Sequence, residues 1–157
     1  GSVATEQLSG LAQRCQGRYS VTGRYAMNAR PDAWLRQAQN DLELAQLARD
    51  NGYLAQACFY ASQAAEKGLK SALLELGLEP PHTHVLNDLT RRLKETGLET
   101  KDLEALSLRS LSRMAIQSRY PVDSTPPSEL FDPEETDQAL ATAREVLSIL
   151  KALDQQG

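Results

Sequence analysis

The segment 58–77, CFYASQAAEKGLKSALLELG, constrains the fold more than any other part of the sequence. Apolar or small residues recur every three or four positions from Leu54 to Leu76, which is the spacing of one face of an α-helix. Many of these residues are alanines, so another helix can approach closely. Pro80 and Pro81 follow and end the helix, because proline has no N–H to donate. The segment therefore predicts a long helix packed inside a helical bundle.

Four further segments have helical spacing, and none of the chain alternates as a strand would. The predicted helices cover residues 31–50, about 53–76, 85–95, 100–117 and 132 to near the C-terminus. Gly52 can take the left-handed conformation that ends the first helix, and Thr100 and Asp132 are suitable N-caps. The sequence therefore predicts an all-α fold, an antiparallel up-and-down bundle of four to five helices.

The predicted bundle occupies residues 31–157, and residues 1–30 are too weakly patterned to be placed in it. We expect residues 1–30 to form a loosely attached arm. Residues 118–131 form a long loop between the last two helices, and long ordered loops are often functional.

Composition excludes several classes of protein. The net charge of −4 gives no chain-wide attraction to nucleic acid, although Arg109, Arg113 and Arg119 lie in a stretch without acids, 105–122. Two cysteines do not make a disulfide framework, so a reducing cytoplasm is expected. No run of 18 apolar residues predicts a membrane helix, and no Gly-rich phosphate loop or zinc spacing predicts a cofactor.

Polar residues within the helical pattern have two interpretations each. Glu66 and Lys70 have the spacing of a surface ion pair, which is the simpler interpretation from periodicity alone. His84 follows His82 by two residues, too weak a signal for a metal site; it could instead cap the next helix or join a polar cluster. The arginines, Arg113 among them, could be a solvated face or contacts to phosphate.

The stretches PDAWLRQAQNDLELAQLARDNGYLAQACFYASQAAEKGLKSALLELG, HTHVLNDLTRRL and SRYP together resemble a HEPN domain (higher eukaryotes and prokaryotes nucleotide-binding) over residues 31–153. The resemblance implies a helical bundle, often homodimeric, from a prokaryote. It also implies association with a small nucleotidyltransferase and binding of a nucleotide or RNA. The resemblance therefore implies candidate ligand-binding residues at the recurrent features of the family, to which the basic Arg113 is added: Gln63, Glu66, Lys67, Lys70, His84, Arg113, Arg119 and Tyr120.

The chain departs from the family pattern at one point that bears on activity. HEPN ribonucleases carry an Arg followed after four to six residues by a His, whereas no His follows Arg119 here. Three functions stay open: a nucleotide- or nucleic-acid-binding module acting with a nucleotidyltransferase in a toxin–antitoxin-like pair, a divergent endoribonuclease toxin, or a structural dimerisation module. We expect no metal and no cofactor, and we assign no catalytic residue.

Overall fold

The computed structural model describes the backbone of residues 29–156 and the side chains of residues 30–155. Its α-helices are α1 Ala29–Asp50, α2 Leu54–Glu75, α3 Leu86–Glu95, α4 Lys101–Glu104, α5 Leu108–Gln117 and α6 Pro133–Gln156. The loop before α6 contains the 3₁₀ turn Pro127–Glu129 and one isolated β-bridge, between Val122 and Thr125. The predicted all-α bundle is confirmed. None of the described helices is long and apolar enough to cross a membrane.

The predicted N-terminal arm, residues 1–30, lies outside the described residues except for its last two, which begin α1. Within the bundle, the single helix predicted over 100–117 is wrong, because the chain turns between α4 and α5. The N–H of Leu106 donates to the carbonyl of Leu103 at 3.1 Å, and that of Leu108 donates to Leu106 at 2.9 Å. These tight turns replace the regular ladder of an α-helix. Leu103 and Leu108 are both buried, so the apolar core continues across the break although the helix does not.

The helix ends confirm two of the three predicted stop and start signals. Gly52 follows α1 with a φ of +84°, which a residue with a side chain rarely adopts. Asp132 and Glu135 form a capping box, in which each carboxylate accepts from the backbone N–H of the other, at 2.8 and 3.0 Å. Thr100 was predicted to cap the next helix, but its hydroxyl donates to the carboxylate of Glu104 at 2.5 Å instead.

Helix α2 is the centre of the bundle and contacts α1, α3, α5 and α6. It brings a run of fully buried small side chains into the core, Ala57, Ala61, Ala64 and Ala65. Leu69 and Leu73 extend this core, and truncating such a leucine to alanine typically costs about 2–5 kcal/mol. Helix α6 packs so closely at Gly68 that a Cβ there would overlap Cδ2 of Leu147. The buried polar groups of this helix, such as Glu66, are therefore placed by tight packing.

Candidate functional site

Glu66 is the centre of a buried polar cluster on α2. Its carboxylate accepts a hydrogen bond from Lys70 Nζ at 2.8 Å and lies 3.0 and 3.2 Å from His84 Nδ1. The side chains of Glu66 and Lys70 are 7% and 12% exposed, whereas that of His84 is 78% exposed. The interpretation of Glu66 and Lys70 as a surface pair is therefore wrong: the pair forms, but inside the protein. Lys70 Nζ also lies 6.0 Å from the centroid of the Trp34 ring.

A second ion pair joins α1 to α2 beside the first one. Asp41, which is buried, accepts from Lys67 Nζ and, at 2.9 Å, from Gln37 Nε2. Two acids and two lysines thus balance each other, which offsets part of the cost of removing charge from water. Sequence reasoning missed Asp41 as a member of the cluster. The signal was present, because an acid stands there at a position of the apolar stripe of α1.

The loop between α2 and α3 is anchored at both ends, and this anchoring places His84 over Glu66. At its beginning, Arg30 donates two hydrogen bonds to the Glu79 carboxylate, at 3.0 and 2.8 Å. These bonds lower the pKa of Glu79 below its ordinary value. At its end, the N–H of Leu86 donates to Ser112 Oγ of α5 at 2.9 Å. The side chain of His84 therefore does not cap α3; it bonds Glu66.

Arg119 is held in a fixed position just after α5. Its Nε donates to the carbonyl of Ala115 at 2.8 Å, and its guanidinium carbon lies 5.3 Å from the ring centroids of both Phe59 and Tyr120. Nε–H is thereby used within the protein, and the two terminal nitrogens have no acidic partner among residues 30–155. A guanidinium fixed in this way can accept a carboxylate or phosphate with little further loss of side-chain freedom.

The other basic residues of α5 are exposed and also lack acidic partners within the described residues. Arg109 and Arg113 are four residues apart and so lie on one face of the helix. The side chain of Tyr120 is exposed as well, next to this face, together with the apolar Ile116. Single-stranded nucleic acids bind surfaces of this kind, because their bases stack on aromatic rings and their phosphates contact arginines.

Comparison with known proteins assigns the chain to a family. The family model of the HEPN domain matches residues 31–153. The chain belongs to the HEPN domain family. It is similar to TT1696 from Thermus thermophilus, with 31% identity, a TM-score of 0.71, and coverage of 79% of this chain and 98% of that one. It is also similar to ST0689, an archaeal HEPN homologue, with 29% identity, a TM-score of 0.63, and coverage of 78% and 95%. A comparison with curated proteins found no match.

In this HEPN domain the predicted site residues form two groups along α2. Glu66, Lys67, Lys70 and His84 belong to the buried cluster, while the guanidinium of Arg119 contacts the rings of Phe59 and Tyr120. Gln63 lies between the two groups on the same helix, and Arg113 lies apart from both ion pairs on the exposed face of α5. Phe59 was missed by the sequence reasoning, since an aromatic residue four positions before Gln63 reads as ordinary core.

Neither a metal site nor a groove between α5 and α6 extends these two groups among the described residues. Among the described residues, no three His, Cys, Asp or Glu side chains come together as metal ligands. An open groove of about 340 Å³ between α5 and α6 has Leu111, Met114 and Ala139 on its walls. Two of its three acids, Asp132 and Glu135, already form the capping box of α6, and it contains none of the predicted site residues.

Proposed function

We propose that this HEPN domain is a binding module for nucleotides or single-stranded nucleic acid, with Arg119 as its phosphate contact. The observation that carries the proposal is the preorganised guanidinium: bonded through Nε to Ala115, placed against Phe59 and Tyr120, and without an acidic partner among residues 30–155. An exposed tyrosine beside the guanidinium offers a surface for a base.

We further propose that the module works in the cytoplasm as a homodimer and with a small nucleotidyltransferase, as a toxin–antitoxin-like pair. Membership of the HEPN family supports the partner, and exposed apolar side chains near Arg119 support the dimer. These side chains are Ile116, Tyr120 and Val122, which are 61%, 57% and 44% exposed. A surface of this kind, next to a charged site, is typical of a protein interface. Light scattering of wild type and of Ile116→Asp tests the dimer, which the substitution should dissociate.

The test of the binding function is a thermal-shift panel of mononucleotides and short RNAs. A ligand at one hundred times its dissociation constant adds about 2.7 kcal/mol to the free energy of unfolding. We expect the ligand to raise the melting temperature of wild type but not of Arg119→Ala. The increase should be smaller for Arg119→Lys, which keeps the charge but loses the planar guanidinium that donates two parallel hydrogen bonds. Arg91→Ala is the matched control, because Arg91 is an exposed arginine of α3 that is paired with Asp88. Equal shifts in wild type and Arg119→Ala would refute Arg119 as the contact.

A divergent endoribonuclease is the second candidate, and one observation favours it. The Glu66 carboxylate holds His84 at Nδ1, so the imidazole has the orientation that a general base requires, with Nε2 left toward solvent. RNA of single-stranded and structured kinds, incubated with high concentrations of protein, should then be cut by wild type and remain intact with His84→Gln. Intact RNA in both reactions would refute the endoribonuclease function, and the binding function would be the remaining candidate.

A further inference from the structure

His84 and Arg119 approach the same stripe of α2 from outside the helix. Arg119 lies against Phe59 and His84 bonds Glu66, and these two α2 residues are seven positions apart. Seven residues are close to two full turns, so the two contacts point in nearly the same direction and lie about 10 Å apart along the helix axis. Gln63 lies one turn from each, in between. The two groups therefore border one continuous surface that is longer than a single phosphate.

The bond to Glu66 defines which nitrogen of His84 is free. A carboxylate only accepts hydrogen bonds, so Nδ1 carries the proton and donates it to Glu66, at 3.0 Å from Oε1. Nε2 of the neutral ring is then an acceptor, and it belongs to a side chain that is 78% exposed. An anion cannot bind this lone pair. If Nε2 gains a proton from solvent, both ring nitrogens become donors, and the new positive charge lies beside the buried carboxylate of Glu66.

We propose that His84 is the second anion contact of the site and that it takes up one proton at Nε2 when it engages a phosphate. The proposal rests on the binding function assigned to Arg119 and names its ligand more closely: a strand with at least two phosphates, one at Arg119 and one at His84. Glu66 is a positioning residue in this arrangement, because it orients the ring and compensates the imidazolium charge without touching the ligand.

The charges around His84 are compatible with proton uptake. On α2, Glu66 is shared with Lys70, and the pair of Lys67 and Asp41 lies behind it, so the four groups carry no net charge. Asp88 on α3 is engaged by Thr83 and Arg91, and Glu79 in the loop by Arg30. Other charged or titratable groups on the neighbouring elements include Glu75 on α2, Arg92, Lys94 and Glu95 on α3, His82 in the loop, and Arg109 and Arg113 on α5. The basic ones favour an incoming phosphate strand, which in turn favours a protonated His84.

The test compares the tetranucleotide ApApApA with the dinucleotide ApA by calorimetry on the full chain, at pH 5.5 and 7.5. Phosphodiesters do not titrate in this range, whereas imidazole does, and ApA carries the same base as ApApApA, so proton uptake seen only with ApApApA is assigned to the protein. For ApApApA, we expect binding about tenfold tighter at pH 5.5 than at 7.5. We also expect proton uptake that is visible as a dependence of the heat on the buffer. ApA, with one phosphate, should show neither effect.

Three substitutions distinguish this inference from the binding function on which it rests. His84→Gln should remove the proton uptake and the pH dependence, so that ApApApA no longer binds more tightly at pH 5.5 than at 7.5, whereas His82→Gln, at a neighbouring exposed histidine, should change nothing. Glu66→Gln should reduce the proton uptake while ApA still binds. If ApApApA binds through Arg119 but His84→Gln keeps the pH dependence, the inference is refuted and the binding function stands. If neither oligonucleotide binds wild type, both are refuted.

A spectroscopic measurement can distinguish this binding role of His84 from a purely structural one, because only the binding role changes the protonation of the ring. Nitrogen-15 NMR of the imidazole should show the proton on Nδ1 in the free protein, and protons on both nitrogens in the complex with ApApApA. A ring that stays singly protonated in the complex, at a pH where calorimetry records proton uptake, would contradict the assignment to His84.

Discussion

Glu66→Gln should destabilise the protein strongly, although it changes only one atom of the side chain. The carboxylate that it removes is 7% exposed and neutralises Lys70, which is 12% exposed. Removing one partner of a buried pair leaves the other charge uncompensated, typically at a cost of about 3–5 kcal/mol. Because Lys70 retains some access to water and a contact with the Trp34 ring, we expect about 3 kcal/mol, at the lower end of that range.

The chain offers a matched control for the effect of burial. Asp32 and Arg36 have the same spacing of four residues and the same distance of 2.8 Å as Glu66 and Lys70, but their side chains are 59% and 70% exposed. Exposed helical pairs contribute about 0.3–0.5 kcal/mol. The coupling energy from a double-mutant cycle of Glu66→Gln and Lys70→Met should therefore be several times that from Asp32→Asn and Arg36→Met.

Urea unfolding followed by circular dichroism gives the free energies for both cycles. The midpoints should differ among variants at a constant slope, since the same surface is exposed on unfolding. Equal coupling energies in the two cycles would refute the reasoning, because burial would then have no influence on the strength of the pair. A coupling near zero for Glu66 and Lys70 would show that His84 alone satisfies the carboxylate.

Three further predictions concern other contacts. Gly68→Ala should destabilise the protein, because the added Cβ would overlap Leu147 of α6. In a Leu147→Ala background, which relieves this overlap, the same change should stabilise the protein by up to about 1 kcal/mol, because alanine favours a helix more than glycine does. Urea unfolding measures both free energies. Burial raises the pKa of the Cys58 thiol, so in a variant whose other cysteine is serine, native protein should react with iodoacetamide far more slowly than unfolded protein. Hydrogen bonds from Arg49 lower the pKa of Asp137, so this pair stabilises the fold above the ordinary carboxyl pKa of 3.8 and loses that contribution as the pH falls through the lower pKa of the folded state. Arg49→Gln should therefore lower the melting temperature more at about pH 6 than at about pH 2.5.

The helices were predictable where local chemistry decides their ends, and less so where packing decides. Gly52 and the capping box at Asp132 act within a few residues, so the ends of α1 and the start of α6 agree with the sequence to within two residues. The break between α4 and α5 contains no glycine or proline from which it could have been predicted. Its leucines keep helical spacing on both sides, and only their burial against other helices explains the turn.

In the candidate site, contacts between residues close in sequence were likewise predictable, whereas contacts between distant residues were not. The bond of Lys70 to Glu66 follows from a spacing of four residues, but its burial depends on a loop that returns over α2 with His84. The pairing of Asp41 with Lys67 joins two helices whose relative register no local pattern specifies. Sequence reasoning could therefore propose the members of the cluster but could not arrange them, because the arrangement is a property of the packed bundle.

The position of the single tryptophan gives the protein an optical reporter of its own. Trp34 is the only tryptophan in the chain, and Lys70 Nζ lies 6.0 Å from its ring centroid while also bonding Glu66. Indole emission responds to nearby charge, so a shift of Lys70 changes the fluorescence of the unmodified protein. Any binding event that moves Lys70 can thus be followed in real time, without a label and at low protein concentration.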